Sequence, residues 1–308
     1  MSSPSSPMPP PAAQPTAGAT LPDPRRAQLI FSLFALYVIW GSTYLAIHFA
    51  LEGGFPPLVL AGVRYGLAGA VLYAFLRLRG HANPSARQWL GGAVLGLLLL
   101  TLGNGSVVVA QQWVPSGVAA LVVGSVPLWA ALFSGLLGQW PGRAERWGLA
   151  IGFCGLIVLN LGSDLRGNSW ATFALLLAPV SWAFGSVWSR RLPQAPGLMS
   201  SATQMLCASV LFFLGSMVKG EHLAALPTPR ALLALGYLIT FGSLVAFSAY
   251  GFLLRNTRPS LAMSYAYVNP VVAVLLGVAL AGESMSPTGM VAMGAILGSV
   301  VLLTRARG

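Results

Sequence analysis

Ten apolar runs, each able to cross or nearly cross a bilayer, dominate the chain at residues 29–50, 57–76, 89–110, 116–138, 147–162, 170–189, 198–218, 231–254, 260–281 and 288–304. They predict an all-α integral membrane protein with ten transmembrane helices. Most of the connections are a few residues long, so consecutive helices run antiparallel. The fifth and tenth runs are short and demand thin bilayer or little tilt. Only 7% of the 308 residues are charged, against about 25% in a soluble domain. That leaves too little polar surface for a water-soluble fold.

A net charge of +11 would suggest nucleic acid in a soluble protein, but here the arginines flank the apolar runs. Lipid headgroups and topology explain them better, and no nucleic-acid partner is expected. With the N-terminus in the cytoplasm, thirteen basic residues from Arg25 to Arg307 fall on that side. Only Arg166, Lys219 and Arg230 fall outside, and Arg64 lies within a span. Four of the six acids, Glu52, Asp164, Glu221 and Glu283, land outside. An even number of spans returns the C-terminus to the cytoplasm. Residues 1–26 form a Pro/Ser-rich stretch with too few apolar side chains to fold, and are expected to be a disordered cytoplasmic tail. The following run is longer than a signal-peptide core and lacks a compact cleavage site, so it is read as a retained span.

The sequence is written twice. "SVPLWAALFSGLLGQW" (125–140) is echoed by "VNPVVAVLLGVALAGE" (268–283), with Pro127 and Pro270 in register and Trp140 standing where the second copy has Glu283. "VIWGSTY" (38–44) is echoed by "VSWAFGS" (180–186), aligning Trp40 with Trp182. Arg64 in the second span has Gln204 at a similar depth in the seventh. These echoes, in one order, imply five helices repeated over 27–163 and 168–304. Five is odd, so the second copy enters the membrane from the opposite side, as in transporters that alternate access to a midplane site.

"YVIWGSTYLAI", "AGVRYGLAG", "LGNGSVVVAQQWVPSGVAAL", "SWAFGSVWSRR" and "SYAYVNPVVAVLLGVALAGES" together resemble the EamA-type branch of the drug/metabolite transporter superfamily, and within it the YedA-like bacterial inner-membrane permeases. The resemblance runs from about Ala27 to Thr304. It implies two inverted five-helix repeats around a central cavity, and export of small metabolites or drugs across the inner membrane. Trp140 departs from the pattern, where an acid often follows the first proline helix.

The polar residues within spans are the candidates for a substrate cavity. Arg64 sits about seven residues, roughly 10 Å, from the outer end of its span. At that depth it needs a partner or a wet cavity. The alternative is a structural arginine tying helices through carbonyls. An arginine lining the path favours substrates with a carboxylate or other acceptor group, and Gln204 offers an uncharged donor and acceptor. Trp40, Ser42, Thr43 and Tyr44, with Trp182 and Ser186 in the second copy, suit a mainly apolar pocket with a few orienting groups. The same tryptophans also suit simple helix packing. Asn104, between two glycines, fits interhelical hydrogen bonding or substrate contact. Tyr265 and Asn269 lie at i, i+4 and share one face. Pro127 and Pro270 each free a carbonyl that must find a partner or line water, which suits a static kink or a gate.

Other chemistries lack their residues. His48, His81 and His222 form no ligand cluster, so neither metal nor cofactor is expected. Cys154 and Cys207 lie in apolar runs as packing residues. No Walker loop implies ATP, and no nucleophile–base or carboxylate pair lies at depth for an intramembrane enzyme. A channel is the remaining alternative, but no filter-like loop is present. Glycine pairs Gly148/Gly152 and Gly294/Gly298 suit close packing of the fifth and tenth helices, within one chain or in a homodimer.

Overall fold

The computed structural model describes residues 24–138, 140, 142–161, 168–256 and 265–305. The segment expected to be a disordered tail lies outside them up to residue 23. The first helix begins at Pro24 rather than after residue 26. A proline in the first helical turn gives up only an N–H that would lack a partner anyway.

Ten helical elements follow one another with no strand among the described residues. They are α1 (Pro24–Glu52), α2 (Pro57–Leu78), α3 (Ala86–Ala110), α4 (Ser116–Leu136) and α5 (Arg143–Leu161). The second set is α6 (Ser169–Trp188), α7 (Leu198–Lys219), α8 (Pro229–Ile239 continuing to Asn256), α9 (Tyr265–Ala281) and α10 (Pro287–Arg305). Seven of them are long and apolar enough to span a membrane; α9 and α10 contribute shorter apolar stretches, Val268–Ala281 and Pro287–Ser299. The protein is a multi-pass integral membrane protein. Large apolar side chains on the outside, such as Phe31, Phe34, Leu67, Val71 and Leu233, present the face that lipid covers.

The packing repeats with the sequence. Exchanging each helix with the one five places on maps the most extensive helix contacts onto one another. The pairs α2/α7, α5/α10 and α4/α9 map onto themselves. The packing of α1 on α8 and α9 maps onto that of α6 on α3 and α4. Small residues permit these approaches. A Cβ at Gly96 would lie 2.6 Å from the Gln204 carbonyl oxygen, and one at Gly41 would lie 2.7 Å from Val272 Cβ. On α5, Gly155 accommodates Ile296 of α10 within the same chain, whereas Gly294 and Gly298 face open space. The α10 glycine pair therefore plays no part in packing α5 on α10.

Two features are absent from a hydropathy reading. Both α3 and α8 widen into π-helix, at Gly96–Asn104 and Thr240–Val245, which are equivalent places in the two repeats. Each segment offers a carbonyl to the first helix of the other repeat. Leu98 O accepts from Ser181 Oγ at 2.7 Å, and Gly242 O from Trp40 Nε1 at 3.3 Å. The second feature is a break in α4 at Gly124 and Ser125. Pro127 consequently begins a new helical segment, Val126–Leu136, and does not kink a continuous helix. Pro270 does lie inside a helix. The α9 carbonyl it leaves without a ladder partner, that of Ala266, faces the α4 break, where a Cβ on Gly124 would come within 3.1 Å of it.

Candidate functional site

Between the repeats lies a cavity walled by α1, α2, α3, α4, α6, α8 and α9, while α5, α7 and α10 stay outside it. On α1 the lining residues Trp40, Thr43, Tyr44 and Ile47 stand at i, i+3, i+4 and i+7, which is one helical face. The other helices contribute Arg64 of α2, Asn104 of α3, Trp182 of α6, and Tyr265 and Asn269 of α9. The cavity volume is about 60 Å³, room for roughly four to six water molecules at about 10–15 Å³ each. A larger guest requires the helices to part.

One wall is aromatic. The Trp40 ring meets Tyr265 edge-on with centroids 4.9 Å apart, Phe247 at 5.5 Å, Tyr250 at 5.3 Å and Trp182 at 6.3 Å. The contacts with Tyr265, Phe247 and Trp182 are edge-to-face, and such pairs each add about 0.5–1.5 kcal/mol beyond area burial. The Nε1 bond to Gly242 fixes the indole plane. The wall is rigid, apolar and broad.

Next to this aromatic wall the cavity carries one charge, for Arg64 and Trp40 bond the same Gly242 carbonyl. Arg64 is 3% exposed. Its Nε donates to Ser243 Oγ at 3.0 Å and its Nη2 to the Gly242 carbonyl at 3.3 Å, so the π-segment of α8 holds two of its three nitrogens. The guanidinium lies over the Tyr65 ring, 4.8 Å from its centroid. Nη1 has no protein partner and no contact with solvent. The Tyr65 hydroxyl and Asn104 Oδ1 share that condition. Three polar atoms buried unpaired around one cavity are unusual, because each costs about 1–3 kcal/mol or more when charged. With its nitrogen turned toward them, the Asn269 amide donates to the carbonyls of Tyr37 and Tyr265 at 3.2 Å each. It is therefore occupied with holding α9 on α1.

Of the residues singled out in the sequence, the structure gathers Trp40, Tyr44, Arg64, Asn104, Trp182, Tyr265 and Asn269 around the cavity. Ser42, Ser186 and Gln204 are not among its lining residues. Ser42 is two residues, about 200°, round α1 from Trp40. It bonds the Tyr237 hydroxyl at 2.6 Å and the Val38 carbonyl. The Ser186 hydroxyl turns back onto the Trp182 carbonyl. Gln204 belongs to α7 and donates to Ser200 Oγ at 2.9 Å. Pro270 adjoins the cavity through Asn269, whereas Pro127 follows the lining residue Val126. Residues 257–264 lie outside the described residues, so Ser264 has no structural account. Sequence reasoning missed Tyr65, Phe247, Gly242 and Ser243. Gly242 and Ser243 are two of several small or polar residues in their run, with Thr240 and Ser248 beside them, so the sequence did not single them out.

Among the described residues, no group of three or more His, Cys, Asp or Glu is placed to hold a metal ion. Glu221 and Glu283 lie away from the cavity and serve helix ends. Glu221 Oε2 accepts from the Leu58 and Val59 amides at the start of α2. Glu283 accepts from the Ser116 amide, the Ser116 hydroxyl and the Gly117 amide at the start of α4.

The chain matches the EamA-like transporter family twice, over residues 28–161 and 169–305. It is 51% identical over 277 residues to the uncharacterized inner membrane transporter YedA of Escherichia coli K12, covering 90% of each chain. It is 26% identical over 285 residues to an S-adenosylmethionine/S-adenosylhomocysteine transporter of Chlamydia muridarum, covering 86% of this chain and 88% of that one. A solved crystal structure at 24% identity superposes with a TM-score of 0.66, covering 91% of this chain and 99% of the other, and shares the fold.

Proposed function

Because this chain belongs to the EamA-like transporter family of the drug/metabolite transporter superfamily, we propose that it is a secondary transporter exporting small metabolites, amino-acid-like compounds or drugs across the inner membrane. The cavity between the repeats is its substrate site, and the two five-helix halves, inverted in the membrane, rock around it to expose it to either side in turn.

The observation that carries this reading is the origin of the cavity walls. Six of the seven come from helices that exchange under the repeat, α1 with α6, α3 with α8 and α4 with α9, and α2 lines the cavity without its mate α7. A site on the relating axis is the one place both halves share, and relative rotation of the halves opens it alternately. The small free volume suits a state closed around the site. The family is one of transporters rather than enzymes. Relatives named as inner-membrane and metabolite transporters support the location and the class of cargo. The excess of basic residues on one side supports cytoplasmic termini. The open glycine face of α10 remains the place for a homodimer contact.

The test is flux. Purified protein in proteoliposomes should move labelled metabolites down their own gradient, with a saturable rate that a carrier cycle requires. Imposing a pH gradient separates proton exchange from uniport by whether the rate changes. Absence of flux across a metabolite panel, with or without that gradient, sinks the reading. Non-saturating flux would indicate a channel.

A further inference from the structure

We propose that the Arg64 guanidinium anchors the carboxylate of a small monoanionic substrate, whose apolar or aromatic body lies against the Trp40–Trp182–Tyr265 wall. This rests on the cavity being the transport site.

The cavity's electrostatics point one way. None of its lining residues is acidic, so Arg64 is a fixed positive charge without a counter-charge inside it. The protein has oriented this charge and left it incomplete. Nε and Nη2 are fixed by Ser243 and Gly242, and Tyr65 supports one face of the guanidinium plane. Nη1, carrying two N–H groups, is buried without a protein partner. An arginine serving only to tie α2 to α8 would be expected to spend that nitrogen on a carbonyl as well. The Tyr65 hydroxyl, unpartnered on another lining residue, supplies a second, neutral donor.

The count of donors also sets the class of anion. A phosphate dianion needs a second cation and more donors than one guanidinium nitrogen and one hydroxyl provide. A monocarboxylate matches the single charge. Cations are disfavoured because they would enter beside an uncompensated arginine. A zwitterion brings an ammonium, for which the lining residues offer neutral acceptors such as Asn104 Oδ1 but no carboxylate. The adjoining aromatic face rewards an apolar ring or chain and offers little to a sugar.

Three compounds of one shape separate these cases: hydrocinnamate with a carboxylate alone, phenylalanine with both charges, and phenethylamine with an amine alone. Binding of radiolabelled hydrocinnamate to purified full-length protein is measured at equilibrium, with the other two as competitors. Hydrocinnamate should bind, phenylalanine should compete more weakly, and phenethylamine should be at least about tenfold weaker than the acid. Arg64→Gln should weaken hydrocinnamate at least tenfold, and Arg64→Lys should retain part of the affinity.

The wild-type ranking decides the matter even if the variants fold poorly. Failure of hydrocinnamate to bind, or phenethylamine binding as well as the acid, overturns the proposal. So does undiminished binding by a well-folded Arg64→Gln protein. Measuring hydrocinnamate flux on the same preparations separates the two claims. Binding without flux would leave the anchor and remove the carrier. Flux indifferent to Arg64→Gln would leave the carrier and remove the anchor.

Discussion

Tyr65 isolates what a single buried group contributes. Its ring stacks on Phe212, with centroids 5.9 Å apart and planes 9° from parallel, and it supports the Arg64 guanidinium, while its hydroxyl bonds nothing in the protein. Removing an unsatisfied buried hydroxyl and keeping the ring should leave stability unchanged or raise it by about 1 kcal/mol. If that hydroxyl donates to cargo, the same change should weaken cargo binding severalfold. Tyr65→Phe is therefore expected to melt at an equal or higher temperature and to bind hydrocinnamate less well. A loss of both would assign the hydroxyl a structural bond instead. The same scale shows what the sequence could and could not disclose. Trp40, Thr43, Tyr44 and Ile47 fall on one face by counting, so a helical wheel finds them once that face is known to look inward. Ser42 sits among them in sequence yet points to Tyr237. Nothing in "WGSTY" says which side of the helix meets the cavity; packing against α8 and α9 decides it.

The elements carry devices that composition hides. A run of apolar residues reads the same whether it winds as α-helix or widens into π-helix, so the segments at Gly96–Asn104 and Thr240–Val245 have no hydropathy signature. Yet π-segments recur at functional sites because they free backbone groups, and here Gly242 O takes hydrogen bonds from both Trp40 and Arg64. Gly242 has no room for more. A Cβ there would lie 2.9 Å from Thr43 Cγ2 and 3.3 Å from Arg64 Nη2. Gly242→Ala should displace both neighbours and reduce transport more than it reduces thermal stability; unchanged flux would show that the π-segment does not position Arg64. The starts of α2 and α4 depend on caps from distant segments. Glu283 closes the start of α4 with three hydrogen bonds, two of them to backbone amides. Glu283→Ala leaves those amides to solvent and should cost about 1–2 kcal/mol, read as a lower melting temperature. This also gives a physical meaning to the contrast with Trp140. The second-copy acid has a helix terminus to cap, whereas the Trp140 ring is 66% exposed.

For the whole molecule, the ten helices and their duplication are legible in one dimension because burial in lipid acts on every residue of a span. The cavity is not, because it depends on which faces of seven helices converge. Exposed Trp113 and Trp170 fall near one end of the helices, and exposed Trp140 and Trp147 near the other, as interfacial belts on the two sides of a bilayer would require. Inversion of the second repeat then has a direct test in two exposed loop residues. His81 follows α2 and His222 follows α7, so they occupy equivalent places in the two copies. Copies inserted in the same sense would put both on one side of the membrane. Five crossings per copy put them on opposite sides, His81 facing the cytoplasm and His222 facing out. With Cys154 and Cys207 replaced by alanine, His222→Cys should react with a membrane-impermeant maleimide added to intact cells. His81→Cys should react only after the membrane is broken. Labelling of both from the outside, or of neither, would rule out the inverted arrangement and with it the proposed rocking of two opposed halves around Arg64.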